Sequence, residues 1–331
     1  MRQGWCMLLL LLAGSLEPAM AVEVSEQEVK QAATSPQVQN RVAALTTLYD
    51  RSDFRALEFN LSQLALLQQE AVRAQLVRHG VDSGELDQAK ATWLQTQAER
   101  KPAFTVVEQG DGYLVTQSAF HYGAQARSLV MQWQQVLLAQ DMVRDAEEGD
   151  LVLSTWLAGD LRTQKNRRDI FLEHLSQLSK PAVAKLVLQF TSDTKLMWLP
   201  DNGVIARLAA TSGDEQMYHL LWRRRTDQYS LAELNRLAAQ APAPNSVEQL
   251  MAATINPSLK PLAYKALITL KPLPLTAREF LREKLDEVDD GQMVAYELAQ
   301  HGYVQWLEQL ASDSRNQVVR NNFKAAMAKL P

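Results

Sequence analysis

The sequence contains one cysteine, Cys6, and it lies in the apolar start of the chain. If that start is removed, the mature chain has none. Disulfide staples, thiolate catalysis, thiolate metal sites and thiol redox chemistry are then all excluded, and packing alone must hold the fold. Glycine and proline are also sparse, 13 and 12 in 331 residues, which favours long helices over many short strands. There is no basic excess. The net charge of −4 gives no general attraction to nucleic acid or to an anionic membrane, so nucleic acid is not an expected partner. Beyond the first 21 residues no apolar run approaches the roughly 20 residues that a membrane span needs. Diagnostic catalytic patterns are missing as well. The five histidines form no His-x-x-x-His or His-Glu-x-x-His pair, and there is no Gly-x-Ser-x-Gly elbow, phosphate-binding loop or full Gly-x-Gly-x-x-Gly.

What is present begins at the first residues. Arg2 is followed by an apolar run from Met7 to Ala13, and Ala19-Met20-Ala21 is a small-x-small cleavage pattern. Residues 1–21 read as a secretory signal peptide, so the mature chain is expected to start near Val22. The expected location is the periplasm or the exterior, as a soluble protein. The apolar core is too short for an uncleaved anchor, and Ser15 stands where a lipoprotein would need cysteine.

Helical periodicity dominates the rest. Val38, Val42, Leu45 and Leu48 share one helix face, as do Phe54, Leu57, Leu61, Leu64, Val72 and Leu76 over residues 53–78. Arg78-His79-Gly80 is expected to end that second helix, and Ser83 to cap a third with Leu86, Ala89 and Trp93 buried. Phe104–Val107 and Tyr113–Thr116 flank Gln109-Gly110-Asp111-Gly112, which predicts a β-hairpin near 103–119. Helix resumes near residue 124. From about residue 151 the chain reads as successive helices of 10–17 residues with short links. The expected organisation is therefore a signal peptide (1–21), an N-terminal helical region with a hairpin (22–150) and a helical repeat region (151–331).

Internal echoes support repetition. Lys180-Pro181 and Lys260-Pro261 each start a helix with proline, place lysine four residues further on, and lie 80 residues apart. Leu76-Val77-Arg78-His79-Gly80-Val81 parallels Leu298-Ala299-Gln300-His301-Gly302-Tyr303. On these features the chain resembles a HEAT-type α-solenoid, over 151–330 and with fewer matching positions over 36–98. The resemblance is to an architecture. It implies a mainly α fold, an irregular solenoid of antiparallel helix pairs with one hairpin insertion, and a scaffold role; it carries no catalytic residues. A compact irregular helical bundle is the alternative.

Two basic clusters are candidate partner-binding residues: Arg162, Lys165, Arg167 and Arg168, then Arg223, Arg224 and Arg225 beside Trp222. If the helices stack regularly, the clusters meet on one ridge and form a site for an acidic partner or a lipid headgroup. The competing reading is a solvated face paired with Asp160, Asp169, Asp214 and Asp227. Trp222 next to three arginines has the composition of an interface hot spot, and Trp198 in a link is expected at the surface. His121 with Asp111 is the one general-base pairing that can be drawn. The expected function is a non-enzymatic exported scaffold that binds a protein or cell-envelope component without a cofactor. A hydrolase of envelope polymers, acting through carboxylates or His121, is the alternative.

Overall fold

The computed structural model describes residues 21–109, 113–192 and 198–329. Residues 1–20, on which the signal-peptide expectation rests, and Asp111, the expected partner of His121, lie outside the described residues. Contacts divide the chain into two compact units, one ending at Leu137 and one beginning at Leu138. The fold is mainly α with a small β insertion: among the described residues there are eighteen α-helices and one three-stranded sheet. No described helix is long and apolar enough to cross a membrane.

The first unit starts with β1 (Val22–Glu23), followed by α1 (Glu26–Thr34), α2 (Pro36–Asp50), α3 (Phe54–Ser62), α4 (Leu66–Ser83) and α5 (Gln88–Glu99). Helix starts follow local chemistry. Ser25 and Glu28 form a capping box on α1, Ser35 caps α2 ahead of Pro36, and Asp53 and Asp87 cap α3 and α5. β2 (Phe104–Gln109) and β3 (Leu114–Ser118) pair antiparallel, with Thr105 opposite Ser118, as the hairpin pattern predicts. β1 adds a third strand, parallel to β2, with Val22 opposite Phe104. That pairing joins residues about 80 positions apart, so no local pattern announces it. α6 (Tyr122–Glu148) follows. Val38, Leu45, Tyr49, Leu57, Leu61, Leu76, Leu94 and Tyr122 form the core of this unit.

Three local expectations are corrected here. Residues 53–78 form two helices, not one, because Ser62 turns its hydroxyl back to the Phe59 carbonyl and Leu64 bonds Leu61 in a turn. The break lets Leu57 and Leu61 share a core with Val72 and Leu76. Gly80 does not end α4. The helix continues to Ser83 and stops at Gly84, whose φ of 65° is the left-handed conformation that glycine supplies. Gly80 is instead a close approach: a Cβ there would collide with the Tyr49 hydroxyl. Gly80→Ala is therefore expected to lower stability by about 1–3 kcal/mol despite alanine's better helix propensity, read as a drop in the urea midpoint. Thirdly, Asp87 rather than Ser83 caps α5, which leaves Ala89 exposed and buries Ala91, Trp93 and Leu94.

The second unit holds α7 (Leu153–Trp156), α8 (Leu161–His174), a 3₁₀ turn at Leu175–Gln177, α9 (Lys180–Thr191), α10 (Asn202–Ser212), α11 (Glu215–Trp222), α12 (Gln228–Gln240), α13 (Pro244–Ala253), α14 (Lys260–Ile268), α15 (Leu275–Leu285), α16 (Gly291–Gln300), α17 (Val304–Asp313) and α18 (Gln317–Lys329). Packing runs between neighbours and next neighbours: α8 with α10, α9 with α11, α10 with α12, α11 with α13, α12 with α14, α13 with α15, α14 with α16 and α16 with α18. That quasi-one-dimensional pattern is compatible with a helical-repeat array. Its core falls in two clusters, one holding Phe171, Leu186, Leu208, Leu221, Leu250 and Leu267 and the next Leu281, Leu298 and Leu307, with the partly buried Leu273 and Phe280 packed against both.

The echoes do not mark the repeat. Lys180-Pro181 starts α9 and Lys260-Pro261 starts α14, an odd number of helices apart, so they fall on opposite members of any helix pairing. The His-Gly echo also differs in structure. Gly302 sits past the end of α16 with φ 90°, whereas Gly80 is inside α4. His301 caps α16 as expected, with Nδ1 2.8 Å from the Glu297 carbonyl oxygen.

Candidate functional site

α8 and the start of α10 line a groove of about 760 Å³ in the second unit. Leu157, Ala158 and Gly159 form one lip with Leu161, Gln164, Lys165 and Arg168; Trp198, Leu199, Pro200 and Asp201 form the other. Asp160 starts α8 by accepting from the Thr163 N–H at 2.7 Å. This fixes the chain so that Leu161, the first helical residue, is 85% exposed. Trp198 is exposed too, as its place in a link predicts.

The first basic cluster divides by role. Arg168 donates to Asp201 Oδ2 at 3.2 Å and to Asp169 Oδ1 at 3.0 Å, and its guanidinium lies 5.6 Å from the Tyr229 ring centre. Lys165 donates to Asp169 Oδ2 at 2.8 Å. Arg167 is a structural clamp: it donates to the Trp156 and Ala158 carbonyls at 3.0 and 3.3 Å and covers the Trp156 ring. Arg162 is exposed at the helix start. The electrostatics lock charge in place. The Lys165 hydrogen bond, outweighing burial, holds the Asp169 carboxyl below its usual range with help from Arg168. Burial works against the Arg168 cation, but its bonds to Asp169 and Asp201 more than offset it and raise its pKa.

The second cluster reaches the same place through the adjacent residue. Asp201 Oδ1 caps α10 by accepting from the Gly203 and Val204 N–H groups, which leaves Oδ2 for Arg168. Asn202 accepts from Arg224 Nε at 2.6 Å and donates to the Arg225 carbonyl at 3.0 Å. Asn256 donates to the Trp222 and Arg224 carbonyls, both at 2.9 Å, and fixes the turn. Arg168 and Arg224 are thus held on consecutive residues, while Arg223 and Arg225 extend to solvent. The expected acid partners are partly corrected. Asp169 is one, but Asp160, Asp214 and Asp227 cap helices, and Asp201 and Asn202 supply the remaining contacts.

Trp222 is not on this surface. It is 1% exposed, stacked on Tyr218 with ring centres 5.9 Å apart. The apolar spacing of α11 puts Tyr218, Leu221 and Trp222 on the packed face, so Trp222 is buried and does not stand beside the three arginines at the surface. His121 is exposed in the turn before α6. Among the described residues no three His, Asp or Glu side chains are grouped to hold a metal ion.

Sequence reasoning missed the buried polar knots. Asp290 is 5% exposed and accepts from Lys260 Nζ and Tyr264 Oη, both at 2.6 Å. Glu233 accepts from Tyr218 Oη at 2.8 Å and from Arg236 at 2.6 and 2.7 Å. Lys260 four residues before Tyr264 was the only local hint of the first. Comparison with known protein families, with curated proteins and with solved structures finds no match.

Proposed function

We propose that this chain is an exported helical-repeat scaffold, of HEAT-like organisation, that binds a protein of the cell envelope through the α8–α10 groove. The observation that carries the reading is the composition of that groove: exposed Leu161 and Trp198 beside Arg168, whose side chain is held in place by two carboxylates. Apolar anchors next to an oriented guanidinium are the make-up of a recognition surface. The charges are fixed as charges, with Asp169 pushed down and Arg168 pushed up, which suits orientation rather than proton transfer near neutral pH. Next-neighbour stacking from α8 to α18 supports the repeat reading, and residues 1–21, followed directly by β1 at Val22, support export.

Site-specific photo-crosslinking tests it. A photoreactive phenylalanine analogue in place of Leu161 is expected to give one discrete adduct in the native envelope fraction. The same analogue in place of the exposed Val288 is expected to give none. No adduct from position 161, or the same adduct from both positions, would overturn the reading.

A further inference from the structure

A second groove, of about 560 Å³, lies between α11 and α13 and shares no residue with the first. Each helix contributes the same spacing: Glu215, Gln216, His219 and Trp222 from α11, and Glu248, Gln249, Ala252 and Ile255 from α13 and the turn after it. The Glu-Gln pair recurs 33 residues on, and α11 and α13 are next neighbours in the stack. This echo, unlike those based on Lys-Pro and His-Gly, coincides with a structural period. It places two carboxylates, Glu215 and Glu248, on exposed positions of the groove, and no lysine or arginine lines it.

The buried wall carries an unusual pair. Trp222 is 1% exposed and Gln249 is 4% exposed, yet the Trp222 indole N–H and the Gln249 carboxamide oxygen have no hydrogen-bond partner. An unmade buried hydrogen bond costs about 1–3 kcal/mol, so two in one wall are expensive unless something completes them. One is a donor and the other an acceptor. An extended peptide offers the complement of both from one residue, whose N–H and C=O point to the same side of the strand: the carbonyl for the indole N–H and the N–H for the carboxamide oxygen. The two flanking carboxylates select the charge of what enters.

We infer that the α11–α13 groove binds an extended cationic peptide segment, with the C=O and N–H of one residue held by Trp222 and Gln249 and a lysine or arginine side chain neutralised by Glu215 and Glu248. The probe is the blocked peptide acetyl-Leu-Lys-Leu-Lys-Leu-amide, titrated into the full mature chain. The readout is the Trp222 indole ¹⁵N–¹H resonance, assigned with Trp222→Phe. The expected result is a saturable shift, weakened about tenfold in Gln249→Met, the equivalent of one lost hydrogen bond. Because Gln249 is buried, Glu248→Lys on the exposed rim provides an independent variant, and it too is expected to weaken binding. The acidic analogue acetyl-Leu-Glu-Leu-Glu-Leu-amide is expected to leave the resonance unmoved. The proposal is overturned if the lysine peptide gives no saturable shift, if the acidic peptide shifts the resonance equally, or if Gln249→Met and Glu248→Lys both bind as the parent does.

Discussion

Asp290→Ala is expected to destabilise the second unit by about 3–5 kcal/mol, the cost of removing one partner from a buried ion-linked pair. Asp290 accepts from two groups, the Lys260 ammonium and the fully buried Tyr264 hydroxyl. Its loss leaves the buried phenol without its acceptor and the partly buried ammonium without its counter-charge. The site joins α14 to the start of α16, next neighbours in the stack, so the helix interface loosens along with the bond. Burial works to raise the Asp290 pKa, but the bonds from Lys260 and Tyr264 and the charges of Lys260 and Lys284 prevail and hold it below the usual carboxylate value. A depressed carboxylate contributes stability that is present above its unfolded pKa of about 3.9 and is lost as pH falls through the lower folded value. Urea unfolding of the parent should therefore weaken on acidification below about pH 4, and Asp290→Asn should show a smaller part of that acid loss. An Asp290→Ala midpoint within about 0.5 kcal/mol of the parent would contradict the assignment.

The second large effect lies in the first unit and depends on which partner is removed. Arg73 and Glu58 form a two-pronged ion pair with both N–O distances at 2.6 Å, but the Arg73 side chain is 4% exposed and that of Glu58 is 40% exposed. Trp93 Nε1 also donates to Glu58 at 2.8 Å, and Arg73 to Gln97 at 3.1 Å. Glu58→Ala leaves a guanidinium enclosed in the core with only Gln97 as partner. The expected loss is about 3–5 kcal/mol. Arg73→Met leaves a carboxylate that can turn to water and an apolar side chain that fills the space, so about 1–2 kcal/mol is expected. The comparison is made by urea midpoints at constant slope. Equal losses from the two variants would show that burial does not set the cost.

These knots also show how far the sequence can be read. Apolar spacing locates most helices, proline and serine mark several of their starts, and Gly110-Asp111-Gly112 announces the hairpin, because all of these are set within a few residues. Gly80 was misread because a Tyr49 hydroxyl 31 residues away, not a helix end, requires glycine there. The parallel pairing of Val22 with Phe104 and the Asp290 knot depend on partners tens of residues away. The candidate site divides in the same way. Lys165 with Asp169 is a four-residue helix pair that spacing predicts. Arg168 with Asp201 and Arg224 with Asn202 arise only when α8, α10 and the turn after α11 are brought together. Trp222 was placed on the surface by its arginine neighbours in sequence, whereas its helix face buries it.

The central claim is that the α8–α10 groove is where a partner protein docks. Hydrogen exchange on the purified chain, with and without the partner captured through position 161, tests it most directly. Added protection is expected at residues 157–168 and 198–201, the segments that line the groove. Unchanged exchange there, or protection confined to residues 22–130, would contradict the account.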